Sequence, residues 1–170
     1  MIKAILACDD TGGVSKDGTL PWPNNPKDLK WFKDNTTGDI VVMGSTTWKD
    51  PHMPRPLPNR YNVVVTSRVG DNLGADYYIN APTTTKMCQQ IELLNLKHKE
   101  LTTWIIGGPN IINQTIDLIE EFYLSRIPGD FNCDTHLPLE KIKEKFTLRS
   151  AEDHPEVRFE IWEKKRETVS

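Results

Sequence analysis

The feature that most constrains this chain is a set of short, mostly apolar runs. Residues 2–8, 40–43, 61–65 and 103–106 are rich in Ile and Val and far too short to cross a membrane. Runs without polar alternation read as strands buried on both faces, the pattern of parallel sheets. Three of them lead directly into glycine or hydroxyl residues: Gly44-Ser45, Thr66-Ser67 and Gly107-Gly108. Helical stretches lie between them. Residues 26–35 carry Leu29, Trp31 and Phe32 on one side, with Pro26 suited to a first turn. A short helix follows Ser45, and Thr83 reads as the N-cap of a helix reaching about His98, with Met87, Ile91 and Leu94 at helical spacing. A further short helix covers residues 109–116.

The remaining segments are loops or later strands. Residues 9–18 hold three glycines among polar residues, and prolines recur too often in 51–58 for any regular element. Residues 76–79 and 122–127 read as strands. The tail alternates, with Val157, Phe159 and Ile161 on one side and Arg158, Glu160 and Trp162 on the other. The last eight residues are predicted to fray. Together these segments predict a three-layer α/β fold: a central, mostly parallel, twisted sheet of about eight strands with an antiparallel C-terminal edge, flanked by about four helices. At 170 residues the expectation is a single domain over 1–170.

Composition removes several functions. The net charge is −3 with no long run of Lys or Arg, which argues against a nucleic-acid surface or a basic membrane patch. The first apolar run meets Asp9 and Asp10 at once, unlike a secretory signal. Cys8, Cys88 and Cys133 are odd in number and lack metal-type spacing, so reduced thiols in a cytoplasmic protein, with no metal, are expected.

The candidate chemistry begins at Leu20-Pro21-Trp22 and at Asp28 in the first helix. An Asp in a first turn more often compensates the helix dipole, and Trp22 and Phe32 taken alone would be core aromatics. The strand ends shift the balance. Gly44-Ser45-Thr46-Thr47-Trp48, Gly107-Gly108-Pro109-Asn110 and Thr66-Ser67-Arg68 offer hydroxyls and free backbone N–H groups at three strand ends. They point to a phosphate-bearing ligand lying across the carboxyl ends of the strands.

At this point the order of motifs resembles the dihydrofolate reductases. It runs Leu20-Pro21-Trp22, Asp28 ahead of Trp31-Phe32, Met43-Gly44 with Thr47-Trp48, Arg55-Pro56-Leu57-Pro58-Asn59-Arg60, Ile106-Gly107-Gly108, then Asp134-Thr135-His136-Leu137-Pro138. The matches extend from Met1 to about Trp162. The resemblance implies NADPH-dependent reduction of dihydrofolate to tetrahydrofolate, a place in one-carbon and thymidylate metabolism, and sensitivity to antifolates. Asp28 would face the pterin and assist protonation of N5 through a water near Trp22 and Leu20, with Ser125 behind the acid. Phe32, Leu29 and Leu57 would line the substrate cleft over a floor of Ile5, Ala7 and Ile106. Arg60 would pair with the glutamate carboxylate, which a guanidinium fork suits.

For the cofactor, the resemblance implies Ala7 and Val14 at the carboxamide, with Ile106 beside it. Gly44, Ser45, Thr46 and Thr47 would lie at the diphosphate, with Asn110 near the phosphates. Gly107 and Gly108 would form a cis link that lets the backbone approach closely. Thr66, Ser67 and Arg68 would hold the 2′-phosphate, Gln114 would reach the adenine, and the adenosine part would occupy about 39–100. The sequence departs from the pattern at Ser45 and Asn110, where many members carry arginine, leaving Arg68 and Lys49 to compensate. Pro109 replaces a glycine, and Ile112 stands where an aromatic is frequent. The 49–54 loop, with His52 and Met53, is longer, and Ser15 and Cys133 replace glycines in two loops expected to touch. Two other readings stay open here: a pyrimidine reductase of riboflavin synthesis, and a folate- or nucleotide-binding protein without turnover. A monomer is expected.

Overall fold

The apolar runs become strands because both of their faces are covered. In the computed structural model, which describes residues 1–166, Val41, Val42 and Met43 are all fully buried, as are Val63 and Val64. Successive side chains point to opposite faces. Val42, Val63 and Ile105 join one apolar cluster, whereas Val41, Val64, Trp104 and Ile106 join another. The elements in order are β1 (Ile2–Cys8), β2 (Gly13–Ser15), α1 (Pro26–Thr36), β3 (Ile40–Gly44), α2 (Ser45–Trp48), β4 (Tyr61–Val65) and β5 (Tyr77–Ile79). Then come α3 (Thr84–Lys97), β6 (Thr103–Gly107), α4 (Pro109–Thr115), β7 (Glu121–Arg126), β8 (Thr135–His136), α5 (Leu139–Lys145), β9 (Phe146–Asp153) and β10 (Arg158–Lys164).

Eight strands form the main sheet in the order β5-β4-β3-β6-β1-β7-β10-β9, and β2 pairs with β8 separately. All neighbours from β5 to β7 are parallel, while β10 runs antiparallel to both β7 and β9. Helices α3, α4 and α5 supply Met87, Ile91, Leu94, Ile111, Ile112 and Ile142 to one cluster; α1 and α2 supply Trp31, Phe32 and Trp48 to the other. The three-layer expectation stands.

Local signals explain the helix that carries Asp28. The Asn25 side chain caps α1 by accepting from Asp28 N–H at 3.1 Å, and Pro26 needs no donor partner in the first turn. Thr83 caps α3 by accepting from Lys86 N–H at 3.2 Å. The Gly107–Gly108 link is cis, as is Arg55–Pro56.

The C-terminal third corrects the sequence reading. There are five α-helices rather than about four among the described residues, because α5 was not anticipated. Strand β9 was also missed, and β10 continues to Lys164 where fraying was expected. The tail's two-sided pattern is incomplete. Glu160, on the side opposite Val157, Phe159 and Ile161, is only 4% exposed and accepts from Arg126 Nε (2.9 Å), Arg158 Nε (2.8 Å) and Trp162 Nε1 (3.0 Å). Residues 167–170, the end of the tail expected to fray, lie outside the described residues.

Candidate active site

The centre of the sheet places an acid beside a hydroxyl. Ser125 on β7 sits in register between Ala7 of β1 and Phe159 of β10, and it is 1% exposed. Burial raises the Asp28 pKa above the usual 3.8, and a hydrogen bond from the Ser125 hydroxyl lowers it without cancelling the rise. Around this pair an aromatic wall forms: Trp31 stacks on Phe159 at 4.5 Å, Trp22 meets Phe131 edge-on at 5.9 Å, and Trp22, Ile127, Val157 and Phe159 cluster with Ala7 against them. Ile5, Leu57 and Ile106 join a second cluster on which Phe32 packs.

Arg60 lies against this second group. Its guanidinium carbon is 5.9 Å from the Phe32 ring centroid, and it donates to Pro58 O (2.9 Å) and Thr36 Oγ1 (3.1 Å). Burial lowers its pKa, and among the described residues no carboxylate pairs with it. An incompletely hydrated guanidinium without a counterion is suited to take a carboxylate from a ligand.

The loop 9–18 is tied down by Asp9. This fully buried carboxylate accepts from Thr11 N–H (2.9 Å), Thr11 Oγ1 (2.7 Å), Gly13 N–H (2.9 Å), Phe131 N–H (3.0 Å) and Cys133 Sγ (3.5 Å). Burial alone would raise its pKa, but those donors outweigh it and bring it down to about 2. The same two segments meet again where β2 pairs with β8, where the Ser15 and Thr135 hydroxyls share a hydrogen bond, and where Asp134 accepts from Asp17 N–H at 2.9 Å. The expected contact between the loops of Ser15 and Cys133 is therefore present. Burial, reinforced by Asp9, lifts the Cys133 thiol to about 11, and burial lifts Cys8 to about 12. All three cysteines are free.

A cavity of about 880 Å³ opens at the carboxyl ends of β4, β3 and β6, which are neighbours in the sheet. Gly44, Ser45, Thr46, Thr66, Ser67, Gly108, Asn110 and Gln114 line it, together with Thr83, Thr84 and Met87 of the α3 region and with Ser15, Thr135 and His136. The glycines are there for space. A Cβ built on Gly107 (φ +134°) would lie 3.2 Å from Thr47 Oγ1, and one on Gly44 would lie 2.9 Å from Ile111 Cδ1. Among the described residues no three His, Cys, Asp or Glu side chains gather as a metal site requires.

The chain matches the family profile described as dihydrofolate reductase over residues 1–164. The chain belongs to the dihydrofolate reductase family. It is 31% identical to dihydrofolate reductase of Bacillus subtilis over 138 residues, covering 81% of this chain and 76% of that protein. It is 36% identical over 146 residues to a putative bifunctional dihydrofolate reductase-thymidylate synthase of Oryza sativa, covering 74% of this chain and 28% of that longer protein. Among solved structures it superposes on Enterococcus faecalis dihydrofolate reductase, complexed with NADP(H) and RAB-propyl, with a TM-score of 0.77 at 26% identity, covering 98% and 97% of the two chains. As a dihydrofolate reductase, the enzyme reduces dihydrofolate with NADPH.

Within that frame, the structure brings Ile5, Leu57, Ile106 and Phe32 together in one cluster and puts Trp22 with Ala7 in another. Leu20 and Leu29 are 44% and 55% exposed and join neither. Val14 is buried in the main core cluster, and neither it nor Arg68 lines the large cavity. Lys49, expected to help compensate for missing arginines, is exposed at the end of α2 and also lies off that lining. Ile112 is fully buried in the core. Sequence reasoning missed Asp9, because a loop aspartate shows no sign of donors that arrive from residues 131 and 133. It also missed the cavity walls Thr83, Thr84 and Met87, although Thr83 was legible as a cap. His136 and Thr135 were inside a motif already singled out, and that was the signal available. Met53 packs on the Leu57 cluster, while His52 is exposed.

Proposed function

We propose that Asp28 is the group that binds the pterin and assists the proton to N5, and that Arg60 anchors the glutamate tail of dihydrofolate at the other end of the same cleft. The observation carrying this reading is the placement of Asp28 on α1 against the buried Ser125 of β7, where burial raises its pKa more than the Ser125 hydroxyl lowers it. An ionised Asp28 accepts from the pterin 2-amino group and N3 in a fork. Because burial leaves the carboxylate poorly solvated, it also favours positive charge beside it and so the protonated substrate, with the proton reaching N5 through a water beside Trp22 and Leu20. Ser125 orients the acid from β7. Phe32, Leu29 and Leu57 line the cleft over Ile5, Ala7 and Ile106.

The residues of the 880 Å³ cavity fit an extended phosphate-bearing cofactor: hydroxyls on Ser45, Thr46, Thr66 and Ser67, glycines where a side chain would not fit, and the Gln114 amide. NADPH supplies the hydride that the pterin receives at C6. Ala7, Val14 and Ile106 hold the carboxamide end, and Gly44, Ser45, Thr46, Thr47, Gly107, Gly108 and Asn110 surround the diphosphate. Thr66, Ser67 and Arg68 hold the 2′-phosphate, within an adenosine-binding part at about 39–100. The enzyme works as one domain and as a monomer in the cytoplasm. No helix among the described residues is long and apolar enough to cross a membrane. Replacing Arg68 by Leu is expected to narrow the NADPH-over-NADH preference, measured by oxidation of each cofactor with dihydrofolate. An unaltered preference would place recognition of the 2′-phosphate elsewhere.

A further inference from the structure

Thr66 stands at the end of β4 on the wall of the large cavity, and what it can offer there is fixed from behind by Asn72. The Thr66 hydroxyl oxygen accepts from Arg68 backbone N–H at 3.0 Å and from Asn72 Nδ2 at 2.9 Å. The orientation of the Asn72 amide is not arbitrary, because Arg68 O can only accept and takes the second Nδ2 hydrogen at 2.7 Å. Asn72 is held in turn by its backbone: its N–H donates to Val69 O at 2.9 Å and its carbonyl accepts from Tyr78 Oη at 2.9 Å.

Asn72 is 1% exposed, and its Oδ1 has no partner among the described residues. An orphaned buried carbonyl costs stability, so an apolar side chain would serve packing better. What the amide achieves is to occupy Thr66. A hydroxyl has one hydrogen and two acceptor lone pairs. Both lone pairs of Thr66 Oγ1 are engaged, and no described residue accepts its hydrogen. The side chain therefore meets a ligand as a donor only.

We propose that Asn72 is a specificity-determining positioning residue, which holds the Thr66 hydroxyl as an obligate donor and so favours a cofactor carrying a 2′-phosphate over one carrying a 2′-hydroxyl. The proposal rests on the reading of residues 66–68 as the 2′-phosphate site. A phosphate oxygen accepts only and carries charge, so a fixed donor strengthens its binding. A ribose hydroxyl can donate as well as accept and gains less from that arrangement.

The test is a double-mutant cycle on KM for NADPH and for NADH, using wild type, Thr66→Val, Asn72→Asp and the double variant. Aspartate fills the same space but only accepts, so it draws the Thr66 hydrogen toward itself. Each single change is expected to raise KM for NADPH about 10-fold, the scale of one charge-assisted hydrogen bond, and KM for NADH by a clearly smaller factor. The added carboxylate also repels phosphate whatever Thr66 does, and the cycle separates that contribution. In the Thr66→Val background, Asn72→Asp should lose most of its effect. Asn72→Leu, run through the same cycle, carries no charge and should show the same coupling. An undiminished effect of both Asn72 variants in the Thr66→Val background overturns the proposal, as does an equal loss for both cofactors. If Thr66→Val alone leaves the cofactor preference intact, the 2′-phosphate reading of residues 66–68 fails first.

Discussion

Asp9 and Asp28 are both carboxylates withdrawn from water, and their surroundings push them in opposite directions. Asp9 is fully buried yet titrates near 2, because backbone N–H groups from Gly13 and Phe131, with both donors of Thr11, point at its oxygens. Asp28 has the Ser125 hydroxyl to set against burial, and its pKa rises. Burial therefore does not decide the charge state; the count of donors does. The difference separates structure from chemistry. A carboxylate saturated by its own protein ties two loops together and has little left for a ligand. One left undersupplied takes its missing donors from a substrate. Arg60 is the cationic counterpart of Asp28: partly buried, its pKa lowered, and without a carboxylate among the described residues.

Removing the undersupplied acid should give the largest effect. Asp28→Asn is expected to lower turnover at neutral pH by about 10²–10⁴-fold, the usual contribution of a positioned acid or base. The loss should be partly relieved at low pH, where dihydrofolate arrives already protonated. Steady-state NADPH oxidation across pH measures both. Stability should move the other way. A carboxyl whose folded pKa is raised weakens the fold as pH climbs from 3.8 through the folded value, so the Asn variant should be at least as stable as wild type at neutral pH, with the difference gone below 3.8.

Arg60→Leu extends the comparison to the cation. It should weaken dihydrofolate by about 1.5–3 kcal/mol, roughly 10- to 100-fold in Kd, and leave NADPH binding nearly unchanged. Equilibrium fluorescence titration of each ligand gives the answer. Equal weakening of both ligands would mean that Arg60 is only a structural strut for Thr36 and Pro58.

Asp9→Asn addresses the saturated acid. Its folded pKa of about 2 lies below 3.8, so its contribution is complete above 3.8 and is lost as pH falls through about 2. The variant should lose on the order of 2 kcal/mol at neutral pH, and more if the new amide hydrogens oppose the donors already there. Urea unfolding at neutral pH and near pH 2 should show the gap between the two proteins closing in acid. An effect of similar size is expected from Gly13→Ala, whose new Cβ would lie 2.5 Å from Cys133 Cβ and 3.0 Å from Asp9 Oδ1. Overpacking of this kind costs about 1–3 kcal/mol, and pairing the change with Cys133→Gly should recover part of it in a thermal melt.

These two carboxylates also mark what could be read from the chain beforehand. Asp28 was legible because it stands between Leu20-Pro21-Trp22 and Trp31-Phe32, a local arrangement that survives folding unchanged. Asp9 was not, because its meaning depends on residues 131 and 133, more than a hundred positions away. The same division runs through the fold. The interior strands β1, β3, β4 and β6 are mostly apolar runs because both faces are covered. Strand β9 buries Phe146 alone and exposes the next seven residues, so no periodic signal marks it as part of a sheet. Helix α5 fully buries only Ile142, and β8 is two residues long. Elements held by a single anchor, or by backbone pairing at an edge, leave little trace in sequence.

The most direct test is a site-resolved titration of the side-chain carboxyls of Asp9 and Asp28 by carbon-detected NMR on the free enzyme, with Asp28→Asn and Asp9→Asn providing the assignments. The account predicts that Asp28 titrates above 3.8 and Asp9 near 2 in the same sample. An Asp28 midpoint at or below 3.8 would contradict it, because the acid would then hold its proton no better than an aspartate in water.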